Sequence, residues 1–292
     1  MALEIQNQKA SLNGGTTTFT FDNDITQYLV GISAFYLAYA GDDHHIQQIS
    51  INLDCSQASS KQVTVKVSVV MADSSGNQID TAQSNVYVTA IAWTGAPTSS
   101  LLLSMPPVSV GNGQASEGIP LPGLSNPILQ PGLAGFNLNY GDDHHVEFVE
   151  ASLGAGQTGS QGQISASVQM YDASGNQAQS PTASGVLVAS SINNPGFIVV
   201  PYSAQDGGYN YIPMGQSVSK AVALLTGFQV SYGQNDDHHV QVIGAGPNMV
   251  QPDPDDPTQV KTNGIWAFMW DDDGNSQDNG KSSCNLIIVG LP

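Results

Sequence analysis

Three copies of one tetrad hold most of the chemistry this chain offers: Asp42-Asp43-His44-His45, Asp142-Asp143-His144-His145 and Asp236-Asp237-His238-His239. They contain all 6 histidines of the 292 residues. Neutral imidazole is a ligand for zinc, nickel, copper, cobalt and iron, while a neighbouring carboxylate either completes the coordination or fixes the second ring nitrogen. In an extended tetrad alternate side chains project to opposite faces, so Asp42 and His44 point one way and Asp43 and His45 the other. One His per copy then faces a shared centre while its partner faces its own unit. Three rings meeting in this way make a tris-His metal site; in the alternative, each tetrad binds its own ion through mixed oxygen and nitrogen ligands.

Two metal-free readings compete: a hydrogen-bonded His/Asp network that staples loops, and acid–base catalysis. Adjacent carboxylates repel unless a cation intervenes. With 6 Lys, no Arg and 24 acidic residues, giving a net charge of −18, that cation must be an imidazolium or a metal. The expected ligand set is therefore His44, His45, His144, His145, His238 and His239 with Asp42, Asp43, Asp142, Asp143, Asp236 and Asp237. Zinc leads as the divalent transition metal, with nickel, copper, cobalt or iron behind it and calcium lower. The run Asp271-Asp272-Asp273-Gly274-Asn275 has a superficial calcium look, but it lacks the spacing and closing Glu of an EF-hand loop.

The elements around the tetrads repeat as well. Upstream stands Phe-x-(Leu/Val)-x-Tyr: Phe35, Leu37, Tyr39, then Phe136, Leu138, Tyr140, then Phe228, Val230, Tyr232. Downstream come Met71, Asp73, Gly76, Asn77 and two further copies, Met170 to Asn176 and Met269 to Asn275, offset by 99 residues each time. The link from Tyr to the first Asp varies in length whereas the tetrad does not, so the tetrad is the fixed object. Units of about 95 to 100 residues follow, at 1–96, 97–194 and 195–292.

Each unit reads as antiparallel β. Val63, Val65, Val67, Val69 and Met71 alternate with polar residues, the period of a strand with one buried face. Asp-x-x-Gly, as in Asp73 to Gly76, suits a type I turn followed by a glycine at positive φ. Val86-Tyr87-Val88, Val186-Leu187-Val188 and Leu286-Ile287-Ile288 are then the returning strands. Segments 94–132 and 192–220, rich in Pro, Gly and Ser, read as crossovers, and Pro252 to Pro257 as an insertion. The expected fold is all-β: three tandem antiparallel β-sandwich or small-barrel repeats arranged with pseudo-threefold symmetry.

Composition narrows the function. A phosphate backbone or an anionic membrane surface is held by Lys/Arg clusters, which this chain lacks. No apolar run is long enough to span a bilayer and no signal-peptide pattern opens the chain, so a soluble protein is expected, cytoplasmic or released without a standard signal, with use outside cells or on a particle compatible with its few Lys. Cys55 and Cys284 stand at inequivalent repeat positions and are expected to be buried thiols. In the third unit one strand face becomes Trp266, Phe268, Trp270, either a platform for a glycan or protein partner or a surface covered by the linker or N-terminus; covering is favoured. Tyr209 to Pro213 invites the same pair of readings. The leading expectation is a non-enzymatic metal-binding β-repeat protein acting as a structural or binding module. The alternatives are a hydrolytic or oxidative metalloenzyme with a tris-His centre and a metal-independent lectin.

Overall fold

The computed structural model describes residues 3–12, 14–96, 98, 100–191, 197–204 and 208–292. Among these residues no helix forms, and the regular elements are all strands with antiparallel pairing. In particular, no helix is long and apolar enough to cross a membrane.

Three strand types recur and position the tetrads. The Phe strands, Gln27–Ala38, Ile128–His144 and Lys220–Ser231, carry the aromatic motif toward the tetrad. Hairpins follow directly: Ile46–Ser59 with Gln62–Ala72, Phe148–Thr158 with Gln161–Tyr171, and Val242–Pro247 with Ile265–Trp270. Return strands close each unit at Asn85–Trp93, Thr182–Ser190 and Ser283–Leu291. The alternating valines from Val63 to Val67 are buried, as the period-2 pattern requires.

The hydrogen bonding does not stay within sequence units. The five-stranded sheet joins the first Phe and return strands to the third unit's hairpin through the Phe strand, with Leu3–Lys9 on one edge. A seven-stranded sheet joins the second Phe and return strands to the first unit's hairpin, and a six-stranded sheet joins the third pair to the second unit's hairpin. Most of the buried apolar residues form one contiguous cluster drawn from these three sheets. At its middle Phe35, Phe136 and Phe228 touch one another, with ring centroids 5.7, 5.0 and 5.3 Å apart. Such tilted and edge-on aromatic pairs add to the area they bury.

Two local expectations change. The return strands were expected across the Asp-x-x-Gly tip from Val63 to Met71; instead Asn85–Trp93 pairs with Gln27–Ala38. Asp73 to Asn77 does form a tight turn, with Gly76 at φ 98°, Gly175 at 90° and Gly274 at 96°. It reverses the chain for a short antiparallel bridge, Ala72 with Gln78, before the chain goes on to the return strand in another sheet. Of the segments read as crossovers, Leu101–Leu103, Val108–Gly111, Ile119–Pro120 and Ile198–Ala204 are edge strands, because their backbone groups complete sheets that would otherwise end unpaired. Residues 192–196 and 205–207 lie outside the described residues.

Candidate metal centre

Each tetrad leaves a Phe strand where the chain changes sheet, and backbone pairing between tetrads fixes their positions. His44 is bonded to Val240 in both directions, at 3.2 and 2.9 Å, and Val146 to His238, at 2.9 and 3.2 Å. His144 lies in register with Ile46. With the backbone held there, the two His of each tetrad separate by strand alternation.

The second His of every tetrad goes to a common centre. The ligating nitrogens of His45, His145 and His239 all lie within 4.8 Å of one another, the only such group of three His, Cys or acidic residues among the described residues. Ring centroids are 4.8, 4.3 and 4.7 Å apart, and Nε2 of His239 is 3.4 Å from Nε2 of His45. The opposite nitrogens meet carboxylates from another tetrad: His145 Nδ1 to Asp237 at 3.3 Å and His239 Nδ1 to Asp43 at 3.1 Å. Asp143 acts electrostatically on His45 in the same sense. The second Asp of a tetrad also holds a neighbouring turn, since Asp143 accepts from Ser74 N and Oγ at 2.6 and 2.7 Å and Asp237 from Ala173 N at 3.0 Å.

These contacts fix the chemistry of the centre. An Nδ1–H donated to a carboxylate leaves a lone pair on Nε2. His45 Nε2 faces the His239 Nε2 at 3.4 Å, where its N–H donates in one tautomer and its lone pair joins the other in holding a cation in the second. Two nitrogens about 2.05 Å from a zinc ion at the tetrahedral angle are about 3.3 Å apart, close to that separation. Burial, then the neighbouring His239 and His145, lower the pKa of His45, against the opposing pull of Asp143 and Asp73. A low imidazole pKa keeps the ring neutral and available as a ligand.

The first His of every tetrad goes elsewhere. His44, His144 and His238 direct Nδ1 at Asp73, Asp172 and Asp271, at 3.8, 3.1 and 3.3 Å. Their rings pack on Tyr39, Tyr140 and Tyr232, each at 4.8 Å. The turn aspartates had the reading of ordinary turn openers, and they are that: each accepts the backbone and side-chain N–H of Asn77, Asn176 or Asn275. They are also the partners of the first His, which sequence spacing did not reveal because the contact is tertiary. Burial alone would raise the Asp73 and Asp172 carboxyls, but the Asn bonds and the adjacent imidazoles override it and hold both below the ordinary range. Burial and nearby carboxylates push the hydroxyls of Tyr39, Tyr140 and Tyr232 up, so these phenols stay neutral.

Of the first aspartates, Asp42, Asp142 and Asp236 are exposed. Asp236 accepts from His238 Nε2 at 2.9 Å, and Asp142 from the Asp143 N–H at 2.9 Å. Trp266, Phe268 and Trp270 form a ladder with 4.6 Å between successive rings. Phe268 packs on Tyr36, Ala38, Val242 and the two Trp of its own sheet. Tyr209 and Tyr211 are exposed and flank the Lys261 ammonium, 5.5 Å from each ring. Cys55 and Cys284 are free thiols; burial, with a smaller push from Asp54, takes the Cys55 pKa up to about 12, so it is not a thiolate ligand. The chain matches no family model, and neither the curated proteins nor the solved structures contain a match to it.

Proposed function

We propose that this chain is a non-enzymatic metal-binding β protein in which one ion braces three units arranged about a pseudo-threefold axis. His45, His145 and His239 are the ligands through Nε2, with Asp43 and Asp237 holding the opposite nitrogens of His239 and His145 and Asp143 acting on His45 through its charge. His44, His144 and His238 serve the fold by tying each tetrad to its own turn, and the assembly presents loops and clefts to a partner or glycan. The observation that carries this reading is the meeting of three imidazoles from distant segments, with nitrogens within 4.8 Å and carboxylates behind them. The equivalent contacts of the three Phe rings, and of the three first histidines with their turn aspartates, support the pseudo-threefold arrangement. Zinc is the favoured ion, because the Nε2 separation of 3.4 Å suits tetrahedral nitrogen ligation.

Elemental analysis of untagged protein purified without added metal is the direct test. About one transition-metal ion per chain is expected. Near three ions per chain would replace the shared centre with independent tetrads, and none, even after zinc is added, would end the metal reading.

One observation favours a second reading. The side chains of His145 and His239 keep 41% and 36% of their exposure, so an ion here has coordination positions open to water. A zinc-activated water is a nucleophile near neutral pH. Under this reading the chain is a metal-dependent hydrolytic or oxidative enzyme, and zinc-loaded protein hydrolyses an activated ester such as 4-nitrophenyl acetate at a rate that His145→Ala abolishes.

A further inference from the structure

Two clefts open between the sheets, and none of the six histidines lines either. The first, about 420 Å³, lies between the first Phe strand, the start of the third Phe strand and the end of the third hairpin, with Ser33, Tyr36, Asn85, Tyr87, Asn248 and Trp266 among its walls. The second, about 510 Å³, includes Gln130, Tyr202, Ser203, Thr226 and Asn285.

The two clefts occupy corresponding positions in the sequence repeat. Ser33 and Thr226 each stand two residues before the motif Phe. Each is the extra residue of a β-bulge, between Ile32 and Ala34 and between Leu225 and Gly227. Asn85 and Asn285 each precede the matching residues of the return strands, Val86 and Leu286. On the opposing hairpins Asn248 and Gly154 each lie nine residues beyond the last tetrad His. The same opening thus recurs at two junctions of the repeat. Bulges beside it turn side chains out of the ladder and into the opening.

The lining selects the ligand. Among the described residues no Asp, Glu, Lys or Arg lines either cleft, in a chain of net charge −18. Amides and hydroxyls both donate and accept hydrogen bonds, and the rings of Tyr36, Tyr87 and Trp266 offer flat apolar faces in the first cleft. A neutral, polyhydroxylated ring with polar edges and an apolar face meets all three conditions, and a volume of this order accepts one or two sugar residues. We infer that the first cleft, between the first Phe strand and the third hairpin, is a binding site for neutral carbohydrate, with Trp266 as the stacking face and Asn85 and Tyr87 as hydrogen-bonding groups. The inference deepens the binding-module reading above and rests on it.

The test is a printed array of neutral and sialylated glycans, followed by calorimetric titration of the methyl glycosides of galactose, glucose, mannose and the N-acetylated hexosamines. The wild-type chain is expected to bind neutral glycans in preference to their sialylated counterparts. Trp266→Ala and Tyr87→Ala should each weaken binding at least tenfold, and Trp270→Ala, on the ladder outside the cleft, by less than threefold. Tyr87 is 39% exposed, so its truncation stays informative if Trp266→Ala fails to fold. No neutral glycan bound, or binding lost in Trp270→Ala and kept in Tyr87→Ala, overturns the inference. Metal content is measured on the same samples. An ion without sugar binding removes only the cleft, and sugar binding without an ion removes only the metal centre.

Discussion

At the scale of single residues, the two histidines of each tetrad have the same sequence context and different jobs. His145 joins the imidazole cluster and His144 faces Asp172 at 3.1 Å, so paired variants separate ligand from scaffold. Zinc titration with a competing chelator should show at least a 100-fold loss of affinity for His145→Ala and less than a threefold change for His144→Ala. Asp237→Asn should fall between them, at roughly 10- to 100-fold, the usual effect of removing a carboxylate behind a ligating imidazole. Equal losses for His144→Ala and His145→Ala would contradict the assignment. Acid should act in two stages. The His45 pKa is lowered in the fold, so the unfolded chain takes up that proton first, and the stability this gives is present above about pH 6.5 and lost as pH falls below it. Asp73 and Asp172 are lowered too, so their contribution persists to lower pH and disappears only below about pH 3.9. Melting temperature measured from pH 8 to pH 3 should step down in the imidazole range and again below pH 4, with the first step larger when zinc is present. A flat profile to pH 4 with zinc would count against imidazole ligation.

At the scale of elements, the decisive contacts are those where a Phe strand meets another unit's hairpin. A Cβ on Gly227 would sit 2.5 Å from Ser152 Cα, and one on Gly135 2.6 Å from the Ile51 carbonyl. In the remaining junction the glycine has changed sides: a Cβ on Gly246 would lie 2.4 Å from the Ala34 Cβ. Gly246 stands seven residues beyond its last tetrad His, as Ser152 does, while Ala34 precedes its Phe as Gly227 does. So at this crossing each junction has a glycine on one strand or the other, because the backbones come too close for two side chains. Gly227→Ala should lower stability by about 1–3 kcal/mol through overpacking. Gly156→Ala, in an adjoining strand with nothing within 4 Å of the new methyl, should change it by less than about 0.5 kcal/mol. Urea denaturation of the two variants checks the contrast, and equal midpoints would remove the close-approach argument. These glycines show where the sequence stops being legible. Period-2 alternation identified the Val63 to Met71 strand and split each tetrad into two faces, because both follow from local geometry. Which hairpin pairs with which Phe strand depends on contacts far apart in the chain, and Gly135, Gly227 and Gly246 read as ordinary strand glycines until the strands are laid together. For the same reason Asp73, Asp172 and Asp271 were readable as turn formers but not as histidine partners.

At the scale of the whole molecule, the interleaving makes a prediction about independence. A free unit 1–96 would keep its own hairpin, but the Gln27–Ala38 edge that pairs with Val242–Pro247 and the Ile46–Ser59 edge that pairs with Ile128–His144 would both be bare. It would also expose Phe35, which is 1% accessible in the full chain against Phe136 and Phe228, and would leave His45 without the two rings that face it. Two bare strand edges and an open aromatic core are an association hazard rather than a stable surface. The fragment 1–96 is therefore expected to give a collapsed amide proton spectrum, or to associate, and to bind zinc far more weakly than the full chain. The full chain, by contrast, should unfold in one cooperative transition, since each of the three large sheets takes strands from two units. Zinc binding only the native state should move that single transition upward as a whole, by about 2.7 kcal/mol at a hundredfold excess over the dissociation constant. Calorimetry with and without chelator measures this. Three separable transitions, or a fragment 1–96 with dispersed resonances and slow amide exchange, would mean that the units fold independently and that the metal centre joins finished domains instead of completing one.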